Sequence, residues 1–183
     1  GGVGQADIYD AVIDTTRSRF SWLLINLITA VTASIVISFF QASIEKVVAL
    51  AVLMPIVASM GGNAGTQTLT VAVRALATKE LTASNAFKII TKETLVGGIN
   101  GIIFAIIIGI LSSYWFQNNL LGAVIASAMI LNLLIAGMAG IIIPLTLSKF
   151  KIDPALASGV ILTTITDVFG FLSFLGLASI FLI

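Results

Sequence analysis

Near the C-terminus the stretch "ILTTITDVFGF" (Ile161–Phe171) sets one carboxylate, Asp167, among Thr163, Thr164 and Thr166 inside an otherwise apolar run. At 100° per residue, Val160, Thr163, Thr164 and Gly170 share a helical face with Asp167, which supplies hydroxyls and a gap where backbone can be approached. A second polar series lies in "PIVASMGGNAGTQTLTVAVRALA" (Pro55–Ala77). There Ser59, Asn63, Gln67, Thr70 and Arg74 recur at i, i+4, i+8, i+11 and i+15, with Thr66 beside them. The chain has no His and no Cys, which excludes imidazole bases, thiol nucleophiles, disulfides and N- or S-ligated metal sites. Whatever these two series bind is bound by oxygen and amide, a donor set suited to a hard cation. One carboxylate is little for a divalent ion. A twofold dimer would bring two copies of Asp167 to a shared axis. Mg²⁺ suits such a site better than Ca²⁺, because Mg²⁺ keeps several waters and is held by one or two carboxylates, whereas Ca²⁺ asks for six to eight oxygens.

The elements that must position these residues are set by composition. Hydrophobic residues make up 58% of the 183 and charged residues 9%, with a mean hydropathy of +1.15. A soluble domain carries about 25% charged residues, so the chain reads as an all-α integral membrane protein. Its net charge of +1 gives no reason to expect nucleic-acid binding. An apolar stretch of ~20 residues crosses ~30 Å of hydrocarbon as a helix. Five such spans are expected, at about 20–40, 47–73, 95–116, 121–147 and 155–182. Pro55 with Gly61, Gly62 and Gly65 predicts an irregular second span with free carbonyls. Those are tolerated at membrane depth only where they line a cavity or are buried in protein. Asp153 is placed to cap the fifth span and Pro154 to occupy its first position. Thirteen residues separate Pro154 from Asp167, which puts the acid roughly 20 Å along the helix and therefore deep in the bilayer. An ionisable residue there is a functional candidate by default.

Basic residues cluster before span one (Arg17, Arg19), between spans two and three (Arg74, Lys79, Lys88, Lys92) and between spans four and five (Lys149, Lys151). The positive-inside rule then places the N-terminus in the cytoplasm and the C-terminus outside, in a multi-pass cell-membrane protein. Ala6 to Arg19 reads as a short amphipathic cytoplasmic helix, and Thr82 to Lys92 as an interfacial start to span three. The opening residues lack a basic n-region, so no signal peptide is expected. Residues 1–19 are expected to comprise a tag remnant and the end of a connecting helix, and 20–183 the transmembrane domain.

Structural explanations compete at several positions. Asp167 could pair with Arg74, although the two stand towards opposite ends of their spans. Gly97-x-x-x-Gly101 reads as a close helix contact, and Asn26, Asn100 and Asn132 as interhelical hydrogen-bond glue. Pro144 reads as a kink or helix terminus. Glu80 and Glu93 read as parts of solvated, mixed-charge segments. A proton-coupled carrier of a small solute, with Asp167 as the titrating group, is the alternative to ion permeation. An intramembrane enzyme is not expected, because acid catalysis of that kind needs a second acid within reach.

"PIVASMGGNAGTQ" (Pro55–Gln67), "DPALASG" (Asp153–Gly159) and "TTITDVFGF" (Thr163–Phe171), in that order, resemble the transmembrane domain of the MgtE family of magnesium channels and transporters. The resemblance covers essentially the whole chain from Arg19. It implies a homodimer with five helices per subunit and a pore on the dimer axis formed by the second and fifth helices. On that likeness Asp167 would bind hydrated Mg²⁺ from both subunits, joined by the main-chain oxygen of Thr163, with Asn63 facing the same pathway. Ser59, Gly62, Gln67, Thr70, Thr164 and Gly170 are expected to line it. The resemblance further implies cytoplasmic sensor domains as partners, which lie outside these 183 residues. Some members carry Asn or Pro near the position of Gly159-Val160, so water and backbone are expected to contribute more here.

Overall fold

Five helices in the computed structural model, which describes residues 8, 9 and 11–183, are long and apolar enough to cross a membrane. They are α1 (Val12–Ser38), α3 (Ala49–Ala77), α4 (Ala86–Trp115), α5 (Asn119–Lys149) and α6 (Pro154–Phe181), with the six-residue α2 (Gln41–Lys46) between the first two. At 27 to 31 residues each, the long helices measure about 40–46 Å at 1.5 Å per residue. That exceeds the ~30 Å hydrocarbon core, so they tilt or project beyond it.

The most thoroughly buried helix is α5. It is apolar on every side and touches α3, α4 and α6, as expected of a helix surrounded by protein. Leu121, Ile125, Ala128, Met129 and Leu133 of α5 form the main core with Leu50, Leu53 and Val57 of α3 and Phe174 and Leu175 of α6. By contrast α1 leans on α6 and buries only Ala33 among its described residues. Close approach to α5 depends on small residues. A side chain at Gly97 or Gly101 would strike the backbone of Leu133 or Ile130, so this pair is a packing surface between α4 and α5.

Helix ends follow local chemistry. Asn118 accepts the amide of Leu121 at 3.1 Å to cap α5, and Asp153 accepts that of Ala155 at 3.0 Å to cap α6, with Pro154 in its first turn. Asn85, before α4, accepts the Thr82 amide at 2.8 Å and donates to the Glu80 carbonyl at 2.7 Å. Ser43 of α2 meets Ser179 of α6 at 2.7 Å, which ties the two outer segments together.

Two expectations are corrected. The second span is not broken: α3 is continuous from Ala49 to Ala77, through Pro55 and all three glycines. Pro55, the seventh residue of α3, is exposed, and its missing amide leaves one carbonyl of the preceding turn without its helical partner. Gly61 and Gly65 are sockets, since a Cβ at Gly61 would meet the Asn132 amide and one at Gly65 would stand 2.8 Å from Leu162. Pro144 likewise lies inside α5 and does not terminate it. From Val12 onward the expected Ala6–Arg19 helix runs unbroken into the first span as α1. Ala6, Asp7 and Asp10 of that expected helix lie outside the described residues.

Candidate functional site

The two faces of α3 are sharply different. Leu50, Leu53, Val57, Gly61, Gly65, Leu69 and Ala72 recur every three or four residues and are buried. Ser59, Asn63, Thr66, Gln67, Thr70 and Arg74 are all exposed on a single chain. Beside this polar face α6 brings Thr163, exposed, and Asp167, half-buried. Together Ala58, Ser59, Gly62, Asn63, Thr66, Thr163 and Asp167 line an open recess of about 300 Å³. A Cβ added at Gly62 would meet nothing within 4 Å, so this position faces open space.

Within the recess both threonine hydroxyls are already engaged. Thr66 Oγ1 donates to the Gly62 carbonyl and Thr163 Oγ1 to the Gly159 carbonyl, each at 2.8 Å. The Thr163 carbonyl in turn accepts Thr166 Oγ1 at 3.1 Å, one half of a fork whose other arm reaches the Leu162 carbonyl, also at 3.1 Å. Asn63 Nδ2 makes a long contact of 3.4 Å with Ser59 Oγ. No described residue offers Asp167 a hydrogen bond or an ion pair, Arg74 included. No described group of three or more acidic residues gathers here or elsewhere to hold a metal within one chain. The site therefore presents a lone carboxylate, one carboxamide, the Ser59 hydroxyl, and carbonyls three of which accept a threonine hydroxyl, open on one side.

Asn132 on α5 fixes the separation of the two walls. Its Nδ2 donates to the Val57 carbonyl of α3 at 3.0 Å, and its amide fills the gaps left by Gly61 on α3 and Gly170 on α6. Below it, Leu162 of α6 seats in the Gly65 socket. The expectation of interhelical hydrogen bonding holds for Asn132. Neither Asn26 nor Asn100 makes such a bond with a described residue, and both are exposed.

Not every expected lining residue joins the recess. Thr70 is exposed farther along α3, its hydroxyl on the Thr66 carbonyl at 2.9 Å. Thr164 is half-buried and bonds the Val160 carbonyl at 2.7 Å. Gln67 faces a different cleft, between α3 and α4. Gly170 is buried against Asn132 and Val57, so its absent side chain serves helix packing. Glu93 was misread as part of a solvated segment. It lies seven residues into α4, half-buried, and accepts Thr68 Oγ1 at 3.4 Å. Its spacing with Gly97 and Asn100, i, i+4 and i+7, was the available signal that one α4 face is polar at depth.

Residues 54–177 match the family model described as MgtE, a divalent cation transporter. The magnesium transporter MgtE of Bacillus subtilis is 39% identical over 164 residues, which are 90% of this chain and 36% of that protein. The magnesium transporter MgtE of Enterococcus faecalis is 34% identical over 181 residues, 99% of this chain and 40% of that protein. That of Thermus thermophilus is 32% identical over 186 residues, 98% of this chain and 41% of that protein. The chain thus spans about two fifths of the length of these relatives. Coverage of the second to fifth long helices by the family model, including both walls of the recess, establishes that this chain belongs to the MgtE family of divalent cation transporters.

Proposed function

We propose that this chain is the pore-forming domain of a Mg²⁺ transporter, that two copies pair about a twofold axis, and that the axis runs along the α3 and α6 faces bearing the recess. The observation that carries this reading is the exposed polar face of α3 beside the half-buried Asp167. At membrane depth lipid does not solvate five polar side chains and a carboxylate, so that face meets protein or water. A second copy placed against it closes the recess and supplies the second carboxylate that one chain lacks.

In the paired arrangement the two Asp167 groups supply the charge. Mg²⁺ holds its inner waters tightly, and carboxylates that touch those waters stabilise the ion without stripping it. The Thr163 carbonyl and the Asn63 carboxamide add neutral acceptors around the same hydrated ion. Residues 20–183 form the pore domain on this reading, and residues 1–19 hold the end of a helix that connects it to cytoplasmic sensor domains outside these 183 residues. The N-terminus lies in the cytoplasm and the C-terminus outside. The names of the B. subtilis, E. faecalis and T. thermophilus relatives support Mg²⁺ as the ion.

The test is Mg²⁺ uptake into liposomes holding this chain or its Asp167→Asn variant, with and without a proton gradient. Uptake by the native chain and none by the variant, with the oligomer preserved in detergent, is the expected result. Equal Mg²⁺ uptake by the two overturns the site. Solute movement that follows the proton gradient with no Mg²⁺ flux would instead favour a proton-coupled carrier.

A further inference from the structure

A second polar cleft lies on the other side of Asn63. Its lining includes Asn63, Gln67 and Thr68 of α3 and Asn100 of α4, and it encloses about 320 Å³. Both α3 and α4 pack on α5 and hardly on each other, which leaves the gap between them. Its floor is thinned by Gly97 and Gly137, whose side-chain positions are taken by the backbones of Leu133 and Glu93. Glu93 stands just beyond the lining, held to it by the bond to Thr68 Oγ1. It lies roughly 10 Å along α4 from the helix start, next to the apolar part of the helix, so it is a second carboxylate at the mouth of this cleft.

We infer that this lateral cleft is a second binding site for a hydrated divalent cation, with Glu93 as its charged ligand and Asn63 as the wall it shares with the axial recess. The chemistry is one-sided: three carboxamides and a hydroxyl, one carboxylate at the margin, and no basic side chain among the described lining residues. Three carboxamides within the spans are not solvated by lipid, so the cleft holds water or a polar ligand. At ~30 Å³ per water the volume takes on the order of ten molecules, enough for an ion with its inner hydration layer. Asn63 lines both spaces. Its side chain is restrained only by the 3.4 Å contact with Ser59, so the amide can turn to either side. Only this shared role of Asn63 rests on the transport reading; the lateral site itself does not.

Mn²⁺ is the probe, its free concentration followed by electron paramagnetic resonance with the full chain in lipid nanodiscs. In the Asp167→Asn chain, where the axial carboxylate is gone, about one Mn²⁺ per chain is expected to remain bound, matching one lateral Glu93 per subunit. Adding Glu93→Gln is expected to weaken that binding about tenfold or more, because the only charged ligand is lost. Asn100 makes no hydrogen bond to any described residue, so Asn100→Ala leaves thermal unfolding unchanged and is expected to weaken binding about threefold as one ion-facing acceptor is removed. Absence of Mn²⁺ binding in the Asp167→Asn chain overturns the lateral site, as does binding indifferent to both Glu93→Gln and Asn100→Ala. If Glu93→Gln fails to fold, the Asn100→Ala titration decides alone. Mg²⁺ flux through Asp167→Asn judges the axial site separately, since flux retained there with Mn²⁺ binding still sensitive to Glu93 would sink the axial reading and leave the lateral one standing.

Discussion

Asn132 of α5 and Gly170 of α6 fit each other as plug and socket: a Cβ on Gly170 would stand 2.9 Å from Asn132 Nδ2. The same nitrogen donates to the Val57 carbonyl of α3 at 3.0 Å, and Asn132 is fully buried. One carboxamide therefore sets how closely α3 and α6, the two walls of the recess, approach around α5. Its Oδ1 is buried without a partner, a cost accepted at a position where the amide serves geometry.

A double-mutant cycle tests that relationship. Asn132→Ala removes an interhelical hydrogen bond, worth about 0.6–2 kcal/mol in membrane helices, and opens a cavity that adds to the loss. Gly170→Ala forces its methyl into the amide and is expected to destabilise by about 1–3 kcal/mol through overpacking. Because the second cost arises from the presence of Asn132, the double variant is expected to be more stable than the sum of the singles predicts, by about 1 kcal/mol or more. Thermal unfolding in detergent gives the four values. Simple additivity would show that Asn132 and Gly170 do not act as one contact.

What the sequence revealed and what it concealed divide along a physical line. Hydropathy and charge report what each segment meets on average, so the five membrane-spanning helices were legible, as were the Asp153 cap and Pro154 start of α6. Pro and Gly report only what the backbone is allowed to do. Gly61 and Gly65 permit a break and equally permit a neighbour to enter, and it is Asn132 and Leu162, from distant parts of the chain, that decide for the second. Thr163 and Asp167 were drawn to one recess with Ser59, Gly62 and Asn63 because helical periodicity had already placed them on facing stripes. Gly170 shared the periodicity and went to packing instead, since the angular width of a stripe does not say where a neighbouring helix begins. Glu93 was hidden by Lys88 and Lys92, whose charges made its segment look fully solvated.

The threonine beside the acid supplies a second expectation. Thr163 Oγ1 is spent on the Gly159 carbonyl at 2.8 Å, so on the proposed reading the ion sees the main-chain oxygen of this residue and not its hydroxyl. Thr163→Val keeps the branched shape and the carbonyl while releasing the Gly159 oxygen. Mg²⁺ uptake by this variant is expected to stay within about fivefold of the native chain, the scale of a net hydrogen bond of ~0.5–1 kcal/mol. A loss as complete as that expected for Asp167→Asn would mean that the hydroxyl itself coordinates or orders the ion's water.

The pairing of two chains can be read directly, because these 183 residues contain no cysteine and every thiol introduced into them is unique. Thr70 is exposed on the polar face of α3, whereas Ile106 is exposed on the apolar surface of α4. If the polar faces meet on a twofold axis, a residue near that axis approaches its own copy, and a disulfide forms where the two Cα atoms come within about 7 Å. Thr70→Cys lies on the face that must be covered, and mild oxidation in native membranes is expected to yield a covalent dimer. Ile106→Cys, directed at lipid, is expected to stay monomeric on a reducing-agent-free gel. Ser59→Cys, nearer the recess, is expected to cross-link less than Thr70→Cys, because a hydrated ion must pass between the two copies there. Efficient cross-linking at Ile106 with none at Thr70 or Ser59 would place the subunit contact on the opposite side of the molecule, leaving the polar face of α3 to be covered by something other than a second copy.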